Sequence, residues 1–326
     1  MKIVVDAMGG DHAPGEIVAG VKSAAPLVHG EIILVGPAEV IDALDLPSNV
    51  TRRHASEVIG MDDKPTEALR KKKDSSIVVG TALVKNGEAD AFVSAGNTGA
   101  CTAGSLLSWR QVEGVHRPAI ASEFPNKFGR FLVLDAGASP DVDPEHLVEF
   151  AIMGRAYAQK VMGKQNPKVH LLNIGEEPGK GNAFAKEVFN LLSGRDWFAG
   201  NIEGKDMFRQ QVDVVVCDAF VGNIVLKTAE GVGEFIMSEI REAVPKGPGK
   251  LLYLPMRKAL SPIRRKVDYA EIGGSPLLGL NGLTIICHGR SNAKAIHNAI
   301  LQAAKAVENG LVQTIRDQFQ AEIKSS

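Results

Sequence analysis

The chain has few cysteines, and its charges cancel. Cys101, Cys217 and Cys287 stand far apart and form no C-x-x-C pair, so we expect neither a disulfide framework nor a zinc site, and a reducing compartment suits them. Each lies in a run of apolar or small residues, which predicts buried, inert thiols. The 37 Lys and Arg nearly balance the 38 Asp and Glu. The net charge therefore gives no reason to expect a nucleic-acid partner.

Long apolar runs are also missing. No stretch approaches the ~20 residues of a membrane span. Met1 leads directly into the strand-like KIVVDA, without the basic and apolar regions of a signal peptide. We therefore expect a cytosolic, soluble protein, which could still touch a membrane surface.

What the chain does contain is a series of short apolar runs rich in Val, Ile and Leu. They do not alternate with polar residues, which is typical of strands covered on both faces in a parallel sheet. Helical patterns lie between them, so the sequence predicts an α/β fold with mostly parallel strands. No domain boundary is visible, and we treat 1–326 as one unit that could form two lobes around a cleft. The runs are 3–5, 32–35, 91–94, 131–135, 169–174, 212–218 and 283–287.

Several helix starts can be predicted from capping residues. Asp143, followed by a proline and an acid, predicts a helix to about Met162. Asn182 is expected to cap AFAKEVFNLL, which Gly194 ends. Asn223 is expected to cap IVLKTAEG, with a second possible role as an amide donor to a substrate.

Six predicted strands run into loops rich in Gly, Asn, Asp and Ser. Ligands of open α/β sheets bind beyond the carboxyl ends of the strands, where glycines permit close approach and helix N-termini attract anions. The six loops therefore predict an anion site. Asp6, Asp11, His12 and Asp135 could supply a base or metal ligands there, but their spacing supports no metal, and Asp11 could simply organise a turn. His288 is expected to be structural.

The AGNTGA stretch at 95–100 permits two interpretations. Asn97 or Thr98 could cap the helix that follows. Alternatively, the backbone amides from Gly96 to Gly99 could hold an anion. One residue can serve both purposes, so the sequence leaves both open.

The stretch NIGEEPGKGN at 173–182 is close to a phosphate-binding loop. A Walker loop requires G-x-x-x-x-G-K-[ST], but Gly181 stands where the hydroxyl should be, and Gly175 is one residue too close. Nucleotide binding is therefore disfavoured. Lys180 precedes a predicted helix N-terminus, which suits a small phosphate or a developing oxyanion. On these residues alone, a solvated surface lysine is the simpler interpretation.

The run 246–267 is basic and apolar, without an acid, and prolines divide it into two short amphipathic pieces. Such pieces can lie on an anionic membrane or bind an acidic protein. Equally, they can form an ordinary basic surface whose apolar side packs in the core or in a dimer interface. The residues expected to make the membrane or partner contact are Leu252, Leu254, Met256, Arg257, Lys258, Arg264 and Arg265.

Longer motifs carry a resemblance to a known family. They are VDAMGGDHAP, HASEVIGM, RKKKDSS, VSAGNTGA, PEHLVEFA, LLNIGEE followed by KGN, VVVCDAFVGN, and GGSPLLGLNG followed by HG. Together they resemble the bacterial phosphate acyltransferase (PlsX) family from Lys2 to about Ile300. The chain departs from the family's usual pattern at Pro178, at Ser139, at Ala219 in the DAF triplet and in HGRSN at 288–292.

The resemblance implies a reaction and its site. Acyl–acyl carrier protein and inorganic phosphate would give acyl phosphate, used in phospholipid synthesis, and free carrier protein. It further implies a three-layer α/β/α, phosphotransacetylase-like fold related to the isocitrate and isopropylmalate dehydrogenases, a homodimer, and peripheral contact with an anionic membrane. The family's catalytic lysine and asparagine match Lys180 and Asn223. Residues expected to bind phosphate or substrate are Gly96, Asn97, Thr98, Gly99, Asp11, His12, Gly175 and Gly181.

This chemistry suits the residues. Phosphate is already anionic at neutral pH, so it needs positioning more than deprotonation. Its attack on a thioester builds an oxyanion, and one donor such as Lys180 or the Asn223 amide is worth roughly 3–4 kcal/mol. A thiol of pKa about 8.5 provides a tolerable leaving group. Neither a covalent intermediate, a metal nor a redox cofactor is therefore required.

Three alternatives remain open on the sequence. One is a metal- and NAD-dependent decarboxylating dehydrogenase of the same fold, for which neither clustered aspartates nor an adenine site is evident. Another is a phosphotransacetylase that uses acyl-coenzyme A. The third is a non-catalytic, membrane-associated regulator that binds an anion. The acyl-chain length and the residues that dock the carrier protein cannot be predicted.

Overall fold

The computed structural model describes residues 1–243 and 269–325. The basic-apolar segment 246–267 lies outside these residues, together with every residue expected to contact a membrane or partner. None of the described helices combines the length and the apolar composition needed to cross a bilayer.

Strands and helices alternate along most of the described chain. The strands are β1 (Lys2–Asp6), β2 (Glu31–Gly36), β3 (Val50–His54), β4 (Ala91–Ser94), β5 (Ala119–Ile120), β6 (Ser122–Asn126), β7 (Gly129–Leu134), β8 (Val169–Asn173), β9 (Phe198–Glu203), β10 (Val214–Val216), β11 (Ser275–Leu278) and β12 (Leu283–Ile286). The helices are α1 (Gly15–Ala24), α2 (Ala38–Ile41), α3 (Pro65–Lys71), α4 (Ser76–Lys85), α5 (Thr98–Trp109), α6 (Pro144–Lys160), α7 (Ala183–Leu192), α8 (Ala219–Glu242), α9 (Ala293–Glu308) and α10 (Leu311–Ser325).

The strands form two sheets. The first has the order β3-β2-β1-β4-β12-β11-β5 and the second the order β6-β7-β10-β8-β9. Most neighbouring strands are parallel. Antiparallel pairs occur where β11 joins β12 and β5, and where β6 joins β7. The predicted α/β class with mostly parallel strands is confirmed.

Each of the seven predicted apolar runs overlaps a strand. The strands that the sequence did not predict lack an apolar run, as β3 illustrates. Strand β3 reads VTRRH, and only its first residue is buried. It lies at the edge of the first sheet, and its four consecutive exposed residues show that both of its faces are open to water there. Edge strands tolerate polar and charged residues, so no apolar run marks them in the sequence.

The two sheets share one core. A single cluster of buried apolar side chains includes Ile3 and Val93 from the first sheet and Leu134 and Val216 from the second. Tyr157 of α6 is fully buried in the same cluster. The loops at the ends of the two sheets are therefore held in a defined relation by common packing.

Two of the predicted caps are confirmed. Asp143 and His146 form a capping box at the start of α6. The side chain of Asn182 accepts from the Ala185 N–H at 2.8 Å and caps α7. Both replace a hydrogen bond that the first turn of a helix otherwise lacks.

The prediction that Asn223 caps its helix is wrong. Helix α8 begins at Ala219, and the Asp218 carboxylate accepts from the Val221 N–H at 2.9 Å. Asn223 is therefore in the second turn. Gly222 is needed inside the helix, because a Cβ there would lie 1.9 Å from the Asp135 carbonyl oxygen.

Candidate functional site

A cleft of about 310 Å³ opens where strands of both sheets end. Three of its walls follow strand ends: Thr98 after β4, Gly137 after β7 and His288 after β12. Helix α8 forms another wall, Ser122, Glu123 and Ser275 add polar groups, and part of the lining is apolar. The apolar side chains are Ile120, Ala136, Leu226, Ile272 and Ile286.

Helix α8 presents polar side chains to this cleft. Asn223, Lys227 and Glu230 all line it, because residues four and three apart share a helix face. The Lys227 ammonium lies 2.8 Å from a Glu230 carboxylate oxygen. The cleft thus brings together an amide, a cation and an anion on one helix.

The loop beneath Asn223 is organised by Asp135. This fully buried carboxylate accepts hydrogen bonds from four backbone N–H groups. Burial raises the pKa of Asp135, and the four N–H donors oppose that rise. Because its oxygens are occupied, Asp135 shapes the loop and is not placed to act as a base. The donors are Ile120, Gly137, Ala138 and Ser139, at 2.9–3.0 Å.

Asn223 packs directly on this loop. A Cβ at Gly137 would lie 3.6 Å from the Asn223 side chain, and Gly137 has a φ of 134° that disfavours other residues. Since Gly222 contacts the Asp135 carbonyl, two glycines permit the close approach of α8 to the loop. Asn223 is therefore positioned at the cleft by backbone packing on two sides.

At AGNTGA, the structure shows the capping role. The Asn97 side chain accepts from the Ala100 N–H at 3.0 Å, and its amide donates to carbonyls of the loop at 60–63. The Gly96 N–H donates to the Ser94 hydroxyl at 3.0 Å. Asn97 thus has its hydrogen bonds within the fold, and Thr98 is the residue of this stretch that lines the cleft. Gly99 lies against Pro65.

His288 lies at the cleft wall with a defined tautomer. Its Nδ1 accepts from the Arg290 N–H at 3.1 Å, which places the proton of the neutral ring on Nε2. Burial, and next the Lys227 charge, lower the pKa of His288. The lowered pKa favours the neutral ring at pH 7.

Asp11 and His12 lie in the neighbouring loop after β1. The Asp11 N–H donates to the Gly289 carbonyl at 2.8 Å, and the His12 carbonyl accepts from the Glu16 N–H at 3.2 Å. These bonds join the start of α1 to the loop that carries His288. Neither side chain is among the described residues that line the cleft.

Lys180 lies in the loop after β8, in the second sheet. Its carbonyl accepts from the Asn173 amide at 3.1 Å, and Asn201 of β9 anchors the same loop by donating to the Glu177 carbonyl at 2.9 Å. Its side chain is 51% exposed, and the ammonium is 4.0 Å from Glu177. Lys180 does not line the described cleft, although β8 pairs with β10, from which α8 begins.

The glycines of this loop are explained by close contacts. A Cβ at Gly175 would lie 2.8 Å from the Lys180 side chain, and one at Gly181 would lie 2.6 Å from the Asn173 side chain. Gly181 also has a φ of 93°. Both glycines therefore determine the loop's shape and the position of Lys180.

The cysteines lie where the sequence predicts, in buried positions. Burial raises the pKa of Cys101 to about 12 and raises those of Cys217 and Cys287 as well. Cys287 borders the cleft, but its thiol is protonated at neutral pH and is a poor nucleophile. In residues 1–243 and 269–325, no three His, Cys, Asp or Glu side chains are grouped as metal ligands.

Sequence reasoning missed Lys227, Glu230 and the paired hydroxyls of Ser122 and Ser275, which are 3.0 Å apart at the cleft. The signal for the α8 pair was available. Asn223, Lys227 and Glu230 are spaced i, i+4 and i+7, which puts them on one helix face. The two serines come from strands distant in sequence, and no local pattern indicates them.

Solved structures with this fold include two phosphotransacetylases. The enzyme from Streptococcus pyogenes is 21% identical with a TM-score of 0.62, and the alignment covers 94% of each chain. EutD phosphotransacetylase from Staphylococcus aureus is 16% identical with a TM-score of 0.60, over 95% of this chain and 94% of that one. At these identities the likeness shows the fold alone, and the predicted phosphotransacetylase-like architecture is confirmed.

Sequence relatives show the family. A phosphate acyltransferase from Desulfitobacterium hafniense is 49% identical over 98% of both chains. One from Heliobacterium modesticaldum is 47% identical over 99% of both. A family model described as fatty acid synthesis protein matches residues 1–314. With this similarity over nearly its whole length, the chain belongs to the phosphate acyltransferase family.

Proposed function

We propose that this chain, acting as one unit over 1–326, transfers a fatty acyl group from acyl–acyl carrier protein to inorganic phosphate. The acyl phosphate formed would supply phospholipid synthesis. The observation that carries the proposal is the similarity to phosphate acyltransferases over 98% of the chain. The cleft supports it, because hydrogen-bond donors face an apolar wall there, as a thioester with a fatty chain and an anionic acceptor require.

The reaction needs one bond made and one broken. A phosphate oxygen attacks the thioester carbonyl carbon, the C–O bond forms, and the C–S bond breaks. The carrier thiolate takes up the proton that phosphate loses. In this proposal the Asn223 amide donates to the developing oxyanion, and Lys180 supplies positive charge. Lys180 would reach the reacting atoms by reorientation of its long, half-exposed side chain.

The direct test is acyl phosphate formation from palmitoyl–acyl carrier protein and inorganic phosphate. We expect acyl phosphate and free carrier thiol in equal amounts, and neither when phosphate is omitted. Palmitoyl-coenzyme A in a parallel reaction distinguishes the carrier-protein donor from the phosphotransacetylase alternative. No product with either donor, from protein that is folded by circular dichroism, would reject the proposal in favour of a binding protein.

We further propose that the protein is a homodimer. Helix α8 carries apolar side chains that remain 49–68% exposed: Phe220, Ile224, Val232, Phe235 and Ile236. A patch of this kind is typical of an interface. Sedimentation equilibrium is expected to give twice the chain mass of 34.7 kDa, whereas a monomer at micromolar concentration would contradict the proposal.

We also propose a cytoplasmic location with peripheral membrane contact through the segment 246–267. Leu254→Glu places a charge in its apolar part and should weaken sedimentation with anionic liposomes, because burial of that side chain at the interface is lost. Activity in solution should be unchanged. Leu254→Met is the matched control. Equal sedimentation of all three proteins would exclude this membrane contact and favour a role in carrier-protein or dimer contact.

A further inference from the structure

The cleft has a single source of positive charge among its described lining residues. Lys227 is the one Lys or Arg among them, and the lowered pKa of His288 favours its neutral ring. Its ammonium is already engaged with Glu230, at 2.8 Å, on the same face of α8. The Lys227 side chain is 53% exposed and that of Glu230 is 28% exposed.

This ion pair can open at little cost. An exposed pair between residues three apart on a helix contributes only about 0–1 kcal/mol. A phosphate dianion forms stronger, charge-assisted hydrogen bonds with a lysine. An arriving phosphate and the Glu230 carboxylate repel each other, so the two anions compete for one ammonium.

The position of Lys227 suits the acceptor of the reaction. Asn223 is one turn earlier on the same face, and side chains at this spacing have Cβ atoms ~5–6 Å apart. A phosphate held by Lys227 would therefore lie beside a carbonyl held by Asn223. Thr98 lines the same cleft, and a threonine hydroxyl can donate a further hydrogen bond to an anion.

We propose that Lys227 binds the phosphate substrate and that Glu230 occupies its ammonium until phosphate displaces the carboxylate. The identification of the anion as phosphate rests on the proposed function. Lys227 is thus the phosphate subsite, and the Glu230 carboxylate competes with phosphate for its ammonium. The two members of the pair affect phosphate affinity in opposite directions, which a purely structural ion pair does not do.

The test measures inorganic phosphate binding by ³¹P NMR titration, together with the phosphate KM in the acyl phosphate assay. Lys227→Met should weaken phosphate binding and raise its KM about 10- to 100-fold, as expected for loss of a charged hydrogen bond. The KM for the acyl donor should stay the same. Glu230→Gln should strengthen phosphate binding several-fold. Lys71→Met is the matched control, since Lys71 pairs with Glu67 at 3.7 Å on α3 and is 78% exposed.

Each result decides the inference. If Glu230→Gln weakens phosphate binding as Lys227→Met does, the pair is structural and the competition is wrong. If Lys227→Met leaves binding and KM unchanged, phosphate binds elsewhere. Opposite shifts in the NMR titration without acyl phosphate formation would keep the anion subsite and reject the proposed function. Product formation with unchanged phosphate KM in both variants would keep the function and reject the subsite.

Discussion

Lys180→Ala should lower acyl phosphate formation by roughly 10²–10³, the loss expected when one stabiliser of a developing oxyanion is removed. The loop that carries Lys180 is held in place from two strands, by Asn173 and Asn201. Because the side chain is 51% exposed, its removal leaves no cavity, and the variant should unfold at the same denaturant concentration as the wild type. Steady-state rates with palmitoyl–acyl carrier protein as donor, over a series of phosphate concentrations, measure the effect.

Lys205→Ala is the matched control. Lys205 is 59% exposed and pairs with Glu203 at 2.7 Å, at the end of β9 in the same sheet as the Lys180 loop. It should retain wild-type activity. A fall in kcat for Lys180→Ala alone would place the lysine at the transition state, whereas a rise in phosphate KM alone would make it a second binding group beside Lys227. Equal activity of both variants and the wild type would remove Lys180 from the mechanism.

Asp135→Ala should destabilise the fold by about 3–5 kcal/mol. The substitution leaves four backbone N–H groups without an acceptor in a fully buried site, and each orphaned group costs about 1–3 kcal/mol before the loop relaxes or admits water. Urea unfolding, followed by circular dichroism, measures the loss. The loop beneath Asn223 would lose its shape as well, so activity should fall at temperatures where the variant is still folded.

The variant Asp135→Asn distinguishes the contributions of the two carboxylate oxygens to stability. Oδ1 accepts from Ile120, Gly137 and Ala138, and among the described residues Oδ2 accepts from Ser139 alone. An asparagine can keep the first oxygen and replace the second by an amide that faces the Ser139 N–H. We expect a loss smaller than that of Asp135→Ala. Equal unfolding midpoints for wild type and Asp135→Ala would contradict this prediction. They would show that the four N–H groups form hydrogen bonds with water with no loss in the free energy of unfolding.

Much of the architecture follows from local patterns. Unbroken apolar runs such as 91–94 and 212–218 predict strands covered on both faces, and both contain central strands of the two sheets. Asp143 and Asn182 predict the starts of α6 and α7, since a cap acts within one turn of its own helix. The whole-length family resemblance comes from contiguous motifs as well.

The parts that local patterns miss depend on contacts distant in the chain. The antiparallel strands β6 and β11 border the cleft, yet their residues carry no strand signal strong enough to be recognised. The requirement for glycine at position 222 depends on the Asp135 carbonyl, which lies beside it only in the folded chain. Asn223, expected to be a cap, lies in the second turn of α8 and shares a helix face with Lys227.

The amino-acid order alone therefore sufficed for the α/β class, the loops at the carboxyl ends of the strands and the family, because periodicity, capping and contiguous motifs act over a few residues. The cleft required the folded chain. Thr98, Asn223 and His288 come from three separate segments, and they meet because two sheets share one core. Which side chains face each other across that space depends on sheet order and backbone packing, and neither is encoded in any short stretch of sequence.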